Sequence, residues 1–227
     1  MSVPLAGEAA RPALFLALDT ATEYPTIALG YPGVPGADLR VDDRRSLSRD
    51  IETIAAGLFA ARGLEPSALT GVLVADGPGG FTGLRIGAAF AKGLCRALGV
   101  PLFTAPSLLG AAVGAARAAG SALPVEVEVR YDALRGECYR AVYRVGPDGG
   151  VAVLAAPALT AVGAGPWEGP TVRASERDAS AAMLLGLMGR PGGPAAVPHA
   201  GRWEPGYGRL AEAESRRLAR ERDAAGR

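Results

Sequence analysis

The spacing of hydrophobic and polar positions changes period several times along the chain, and each change predicts an element. Residues 14–19 are a continuous apolar run ending in an acid, the pattern of a buried strand, and residues 24–30 predict a second strand. After the turn-forming run Tyr31-Pro32-Gly33-Val34-Pro35-Gly36, residues 37–41 predict a third. Leu47, Ile51, Ile54 and Leu58 then recur at helical spacing, with Ser46 or Ser48 as the expected N-cap and Gly63 as the stop. A strand over 71–76, a helix over 84–98, a strand over 100–104 and a helix from Ser107 to about Gly120 follow. The order βββαβαβα predicts an α/β fold, a mixed sheet with helices packed on its faces.

The second half restarts with strands. Val125, Val127, Val129 and Tyr131 alternate with Glu126, Glu128 and Arg130, which predicts a half-buried strand. Residues 132–136 predict a turn and 137–145 the returning strand. Pro147-Asp148-Gly149-Gly150 turns into a short strand over 151–154, and residues 175–188 predict a helix. The division expected is a loose leader over 1–12, a first lobe over 13–105, a smaller second lobe over 106–207, and a charged tail over 208–227 read as a fraying helix.

Composition narrows the classes. With 49% hydrophobic and 21% charged residues, the chain has the balance of a soluble globular protein. The formal charge of +1 argues against a long nucleic-acid footprint, though it leaves room for a local basic patch. No apolar run approaches the ~20 residues that span a bilayer, and the start lacks the pattern of a signal peptide. Cys95 and Cys138 form no C-x-x-C pair and suit a reducing compartment, so the expected location is the cytoplasm, although a bridge between the two stays open. His199, the only histidine, cannot supply a histidine-rich metal site or a motif-supported triad.

Three segments carry chemistry: Leu18-Asp19-Thr20-Ala21-Thr22, Gly77-Pro78-Gly79-Gly80-Phe81-Thr82-Gly83-Leu84-Arg85-Ile86-Gly87, and Asp132-Ala133-Leu134-Arg135-Gly136-Glu137. A strand-ending Asp can hold Mg²⁺ through water, and threonine hydroxyls can reach phosphate, so Asp19, Thr20 and Thr22 are candidate nucleotide contacts; they can equally tie a tight turn. The glycine segment can cradle phosphate at a helix N-terminus, but no Lys-Ser/Thr pair follows it as a P-loop requires. A tight strand-to-helix turn is the better reading. Gly83, Gly87 and Ala91, at i, i+4 and i+8, mark a helix face that another backbone can approach closely, from within the lobe or across an interface. For Asp132, Arg135 and Glu137, an Asx-turn with an ion pair is favoured over acid-base catalysis.

Together and in this order the three segments resemble the D-T-S-T, G-P-G-S-F-T-G-x-R-I-G and D-A-R-R-G-E signatures of the bacterial TsaB family, also called YeaZ, over residues 14–143. The resemblance implies two tandem lobes of the RNase H-like fold shared by actin, Hsp70 and sugar kinases, the second lobe reduced. It implies a non-catalytic subunit with no cofactor or metal of its own, since family members are thought to have lost nucleotide binding in their cleft. Such a subunit homodimerises, pairs with the catalytic relative TsaD and is joined by the ATPase TsaE, the partners that bring ATP and metal. The complex transfers threonylcarbamoyl to N6 of the adenosine beside the tRNA anticodon, and tRNA is met through the complex, away from any membrane. The family pairs through the two helices after its third and fourth strands, which places Ile51, Ile54, Leu58, Gly83, Gly87, Phe90 and Ala91 on the expected interface. TsaD binds its metal through histidines on the first of these helices; here Ser46-Leu47-Ser48-Arg49-Asp50-Ile51-Glu52-Thr53-Ile54 carries none. The alternative is an ATP-dependent kinase or hydrolase of the same superfamily, anchored by Asp19. A metallopeptidase reading lacks ligands.

Overall fold

Strand β1 (Phe15–Asp19) is buried along its whole length because it lies inside a six-stranded sheet. The structure, a computed structural model, describes residues 12–208 apart from 43 and 170, so nearly all of the expected leader and tail lies outside the described residues. β1 pairs antiparallel with β2 (Thr26–Gly30), and β2 with the two-residue β3 (Leu39–Arg40). On its other edge β1 takes β4 (Gly71–Ala75) in parallel, and β4 takes β5 (Leu102–Ala105) in parallel. Parallel neighbours need crossovers. Helix α1 (Leu47–Ala60) supplies the one from β3 to β4, and α2 (Phe81–Leu98) the one from β4 to β5. Both cover one face of the sheet, where Leu16, Leu18, Ile27 and Leu29 meet Leu47, Ile51, Ala55, Phe59 and Ala91.

The second sheet has four strands in the order β8-β7-β6-β9. β6 (Val125–Asp132), β7 (Glu137–Val145) and β8 (Val151–Ala161) form an antiparallel meander, and β9 (Thr171–Ser175) lies parallel on the free edge of β6. This repeats the plan of β1 to β4: a three-strand meander, then a parallel strand beside its first member. The repeat is reduced, since residues 162–169 run between the sheet's strands without a helix. Trp167 Nε1 donates to Glu126 at 2.9 Å, and Arg130 donates to the carbonyls of Val162, Ala164 and Gly165, so this connection lies over the outward side of β6. Beneath it Glu128, 2% exposed, meets Arg130 at 2.8 Å and Arg140 at 2.6 Å. Burial pulls its carboxyl upward, but the two guanidiniums prevail and hold it below the ordinary value.

Helices α3 (Ser107–Ala118) and α4 (Ala181–Leu187) fill the space between the sheets. Their apolar sides join Ala17 and Leu73 of the first sheet to Val127, Val129, Tyr131 and Tyr143 of the second in one core. The layers run helix pair, sheet, helix pair, sheet.

Several expectations change. The buried stripe of α1 is Leu47, Ile51, Ala55 and Phe59, while Ile54 and Leu58 sit half-buried on its flank. Ser46 makes no side-chain cap, because a 3-10 turn over Arg44–Ser46 runs directly into the helix with Ser46 already in helical geometry. β8 extends to Ala161, beyond the expected end at 154. The helix expected over 175–188 divides: Ser175 and Asp178 close a capping box on a 3-10 turn, and Ser180 caps α4 through the Met183 amide. The end of the second lobe returns to the first. β10 (Ala195–Ala196) pairs with β5, and Lys92 binds the Trp203 carbonyl at 2.6 Å and Glu204 at 2.9 Å. A boundary near residue 105 therefore separates β1–β5 from β6–β9, while β10 crosses back to the first sheet. Cys95 and Cys138 are both buried and unbridged. Among the described residues no helix is long and apolar enough to cross a membrane.

Candidate functional site

The three sequence motifs, far apart in the chain, meet at one cleft of about 970 Å³ between the lobes. The β1–β2 turn forms its floor. Asp19 ends β1 with no exposed surface. Its Oδ1 accepts the Ala21 amide at 3.2 Å, and its Oδ2 has no hydrogen-bond partner among the described residues. Burial raises the carboxyl from 3.8 to about 7; the Ala21 amide opposes the rise and the nearby Asp38 adds to it. Thr20 is also fully buried, and its hydroxyl donates to the Gly83 carbonyl at 2.8 Å. Thr22 Oγ1 accepts the Tyr24 amide at 3.0 Å. All three candidate nucleotide contacts thus point into the fold or tie the turn.

The glycine segment closes directly onto that floor. The Gly80 amide donates to the Ala21 carbonyl at 2.6 Å, and a side chain on Gly79 would strike the same carbonyl. α2 starts at Phe81, immediately beyond. A methyl group on Gly83 would overlap the Thr20 carbonyl oxygen, and one on Gly87 would overlap Thr20 Oγ1. The close approach that these glycines permit is that of β1's own end, not of a partner. Gly83, Gly87, Ala91 and Ile51, expected at an interface, are therefore buried inside the first lobe. The other expected interface residues, Ile54, Leu58 and Phe90, are half-buried at the rim of the same core, beside Ile86 and Leu94.

The opposite wall is the β6–β7 turn. Asp132 Oδ1 accepts the Leu134 amide at 2.8 Å, the expected Asx-turn. Leu134 and Arg135 adopt φ of 62° and 57°, a region that side chains with a Cβ avoid, and Leu134 is 70% exposed. Leu134→Gly is accordingly expected to raise stability by about 1 kcal/mol, seen as a higher urea midpoint with an unchanged slope. A lower midpoint would show that the leucine makes contacts worth more than its backbone strain. Behind this turn Glu176 accepts the Asp132 amide at 2.7 Å, and burial, partly offset by that bond, raises its carboxyl.

Sequence reasoning missed the ring cluster at the cleft's edge. Phe81 and Tyr207 lie 4.7 Å apart, and the Arg85 guanidinium stands 4.0 Å from the Phe81 ring centre. The spacing of Phe81 and Arg85, i and i+4 on α2, carried a signal. Tyr207 had no local signal; the Gly206 amide on the Asp76 carbonyl and the Tyr139 hydroxyl on the Tyr207 carbonyl bring it there. His199 is exposed, and the described residues include no group of three His, Cys, Asp or Glu side chains able to hold a metal.

Residues 43–163 match the family described as TsaD: tRNA N6-adenosine threonylcarbamoyltransferase. The tRNA threonylcarbamoyladenosine biosynthesis protein TsaB of Escherichia coli K12 is 32% identical over 129 residues, 57% of this chain and 54% of the relative, so the chain aligns with about half of that protein. An uncharacterized protein of Mycobacterium tuberculosis H37Rv is 37% identical over 161 residues, covering 66% of this chain and 71% of its own. In structure, YeaZ from Pseudomonas aeruginosa superposes with a TM-score of 0.63 at 27% identity, over 71% of this chain and 75% of that one. With the motifs gathered on one cleft and these likenesses in sequence and fold, the chain belongs to the TsaB, or YeaZ, family of tRNA threonylcarbamoyladenosine biosynthesis proteins.

Proposed function

We propose that the chain is a non-catalytic subunit of the threonylcarbamoyl transfer machinery. It is built of two tandem RNase H-like lobes and holds a TsaD-type enzyme in its competent state while that enzyme modifies N6 of the adenosine beside the tRNA anticodon. The repeated strand plan supports the tandem-lobe reading. The observation that carries the functional reading is the closed floor of the cleft. Nucleotide phosphates held between a hairpin and a glycine turn need free amides and open space there. Here the Gly80 amide is bound to Ala21, and Asp19 is sealed from solvent, with burial pushing its carboxyl up to about 7.

The half-buried rim of α1 and α2, with Ile54, Leu58 and Phe90, is the surface proposed to pair either with a second copy or with the TsaD-type subunit, in the cytoplasm. A TsaE-type ATPase joins the second assembly, so ATP and metal reside in the partners. Phe90 is only half-buried against the core of its own lobe, so a glutamate there keeps access to solvent in the free chain but would place a charge inside either pairing. Phe90→Glu is therefore expected to leave the thermal transition within a few degrees, shift the chain to monomer on gel filtration, and abolish co-elution with the TsaD-type subunit. Co-elution that survives Phe90→Glu would move the interface elsewhere. Isothermal titration with Mg-ATP tests the non-catalytic part: no heat of binding is expected from the isolated chain. Saturable binding would favour the kinase or hydrolase alternative.

A further inference from the structure

A ribbon of arginines and aromatic rings runs along the rim of the cleft, and neither the closed floor nor the α1–α2 surface uses it. At one end the Tyr24 ring meets two guanidiniums, Arg177 at 4.7 Å and Arg40 at 5.5 Å from the ring centre. Arg40 also donates to the Arg177 carbonyl at 2.8 Å, so this stack joins β3 of the first lobe to the turn after β9 of the second. Next along the rim, Arg44 pairs with Glu23 at 2.9 Å and lies against Gly80. At the other end Arg85 covers Phe81, with Tyr207 beside it. Arg40, Arg85 and Arg177 are exposed, and among the described residues none has a carboxylate within ion-pair distance.

The neighbouring acids are occupied. Asp178 accepts the Ser175 amide, Glu176 the Asp132 amide, Asp132 the Leu134 amide, and Asp38 the Ser180 hydroxyl and Ala182 amide. These carboxylates keep their charge but are tied to backbone amides and the Ser180 hydroxyl, so they do not compete for the guanidiniums of Arg40, Arg85 and Arg177. A guanidinium laid on a ring is held in orientation while its edge N–H groups stay free for phosphate, and ring and guanidinium planes both accept a stacked base.

We infer that this rim, from Arg40, Tyr24 and Arg177 to Arg85, Phe81 and Tyr207, is a contact surface for RNA, touching the phosphate backbone and unpaired bases. The inference rests on the proposed role in tRNA modification but needs no catalytic partner for its test. The full-length chain is titrated with a fluorescent, unmodified tRNA transcript, and anisotropy is followed from low to moderate salt. Weak binding that falls steeply with salt is expected. The triple variant Arg40→Gln, Arg85→Gln, Arg177→Gln should weaken it about tenfold at low salt and flatten the salt slope by about 2, since each lost phosphate contact removes ~0.7–0.9. Arg85→Lys should keep the salt slope yet lose affinity for a single-stranded anticodon-loop oligonucleotide, because lysine keeps the charge and not the plane. The control Arg117→Gln, Arg202→Gln should bind like the parent. An unchanged titration for the triple variant, an equal loss in the control, or no binding by the parent at low salt would each overturn the inference. None of these results bears on co-elution with the TsaD-type subunit, which judges the underlying reading separately.

Discussion

Gly87→Leu is expected to cost the chain on the order of 4 kcal/mol of stability rather than to strip it of a partner. The Cα of Gly87 faces Thr20, and the first carbon of any side chain there already overlaps Thr20 Oγ1. That oxygen is fixed, because it donates to the Gly83 carbonyl at 2.8 Å with no exposed surface. A leucine must force α2 away from the end of β1 or expel the Thr20 hydroxyl from its bond. Overpacking costs about 1–3 kcal/mol and a stranded buried polar group about 1–3 more, so the sum is on the order of 4 kcal/mol. A domain of this kind has only ~5–15 kcal/mol in total. Gly83→Ala should be as harmful for one methyl group, since its obstacle is the backbone oxygen of Thr20. Gly93→Ala, on the same helix with open space around it, should be neutral or slightly stabilising. Circular dichroism and urea titration of the three variants separate these cases. A Gly87→Leu chain with the parent's urea midpoint that has lost only its partner would restore the interface assignment.

Asp19 carries the second large expectation, a dependence of stability on pH with an unusual sign. Its carboxyl is raised from 3.8 to about 7 chiefly by burial, so between about pH 4 and 7 the folded chain holds a proton that the unfolded chain has released. Stability contributed by this residue is fully present below about pH 4, falls as pH rises through about 7, and is flat above. At about 1.4 kcal/mol per pH unit the loss is on the order of 4 kcal/mol. Asp19→Asn does not ionise. The stability difference, variant minus parent, should therefore grow by that amount from pH 4 to pH 8. At pH 8 the variant should be the more stable by roughly 2 kcal/mol after the cost of burying its amide N–H groups. Urea unfolding of both chains across this range provides the check. A difference independent of pH would mean that Asp19 ionises as in water and that the cleft floor is hydrated.

Much of this architecture was legible in the sequence, for identifiable reasons. β1 and β4 are buried on both faces and read as unbroken apolar runs, while β6 is covered more fully on one face and reads as alternation. The glycine motif marked the strand-to-helix turn, although α2 starts at Phe81 and not at the expected residue 84. Local pattern could not say what approaches a small helix face: Gly83 and Gly87 announce a close contact, but Thr20, 63 residues from Gly83, decides that the contact is internal. The stripe of α1 misled for a related reason. Ile54 and Leu58 outweigh Ala55 in hydrophobicity, yet Ala55 and Phe59 face the sheet. β9 escaped because Thr171-Val172-Arg173-Ala174-Ser175 is a short edge strand whose inward face is only Val172 and Ala174, too brief an alternation to stand out. Nothing local marks residues 195–208 as a strap across α2, because its bonds to Lys92, Asp76 and Tyr139 all reach far along the chain.

The most direct test of the central claim is reconstituted modification, with modified adenosine counted by mass spectrometry of digested tRNA. A partner that binds only the competent state of the TsaD-type enzyme raises that state's population by its differential affinity, and ~1.4 kcal/mol already gives about tenfold. Omitting this chain should therefore remove most of the product, although the chain is assigned none of the reacting groups. Asp19→Asn, added back at equal concentration, should restore the product to the parent level. If Asp19→Asn eliminates the product while the assembly remains intact on gel filtration, the cleft supplies a catalytic or nucleotide-binding group and the non-catalytic account is wrong.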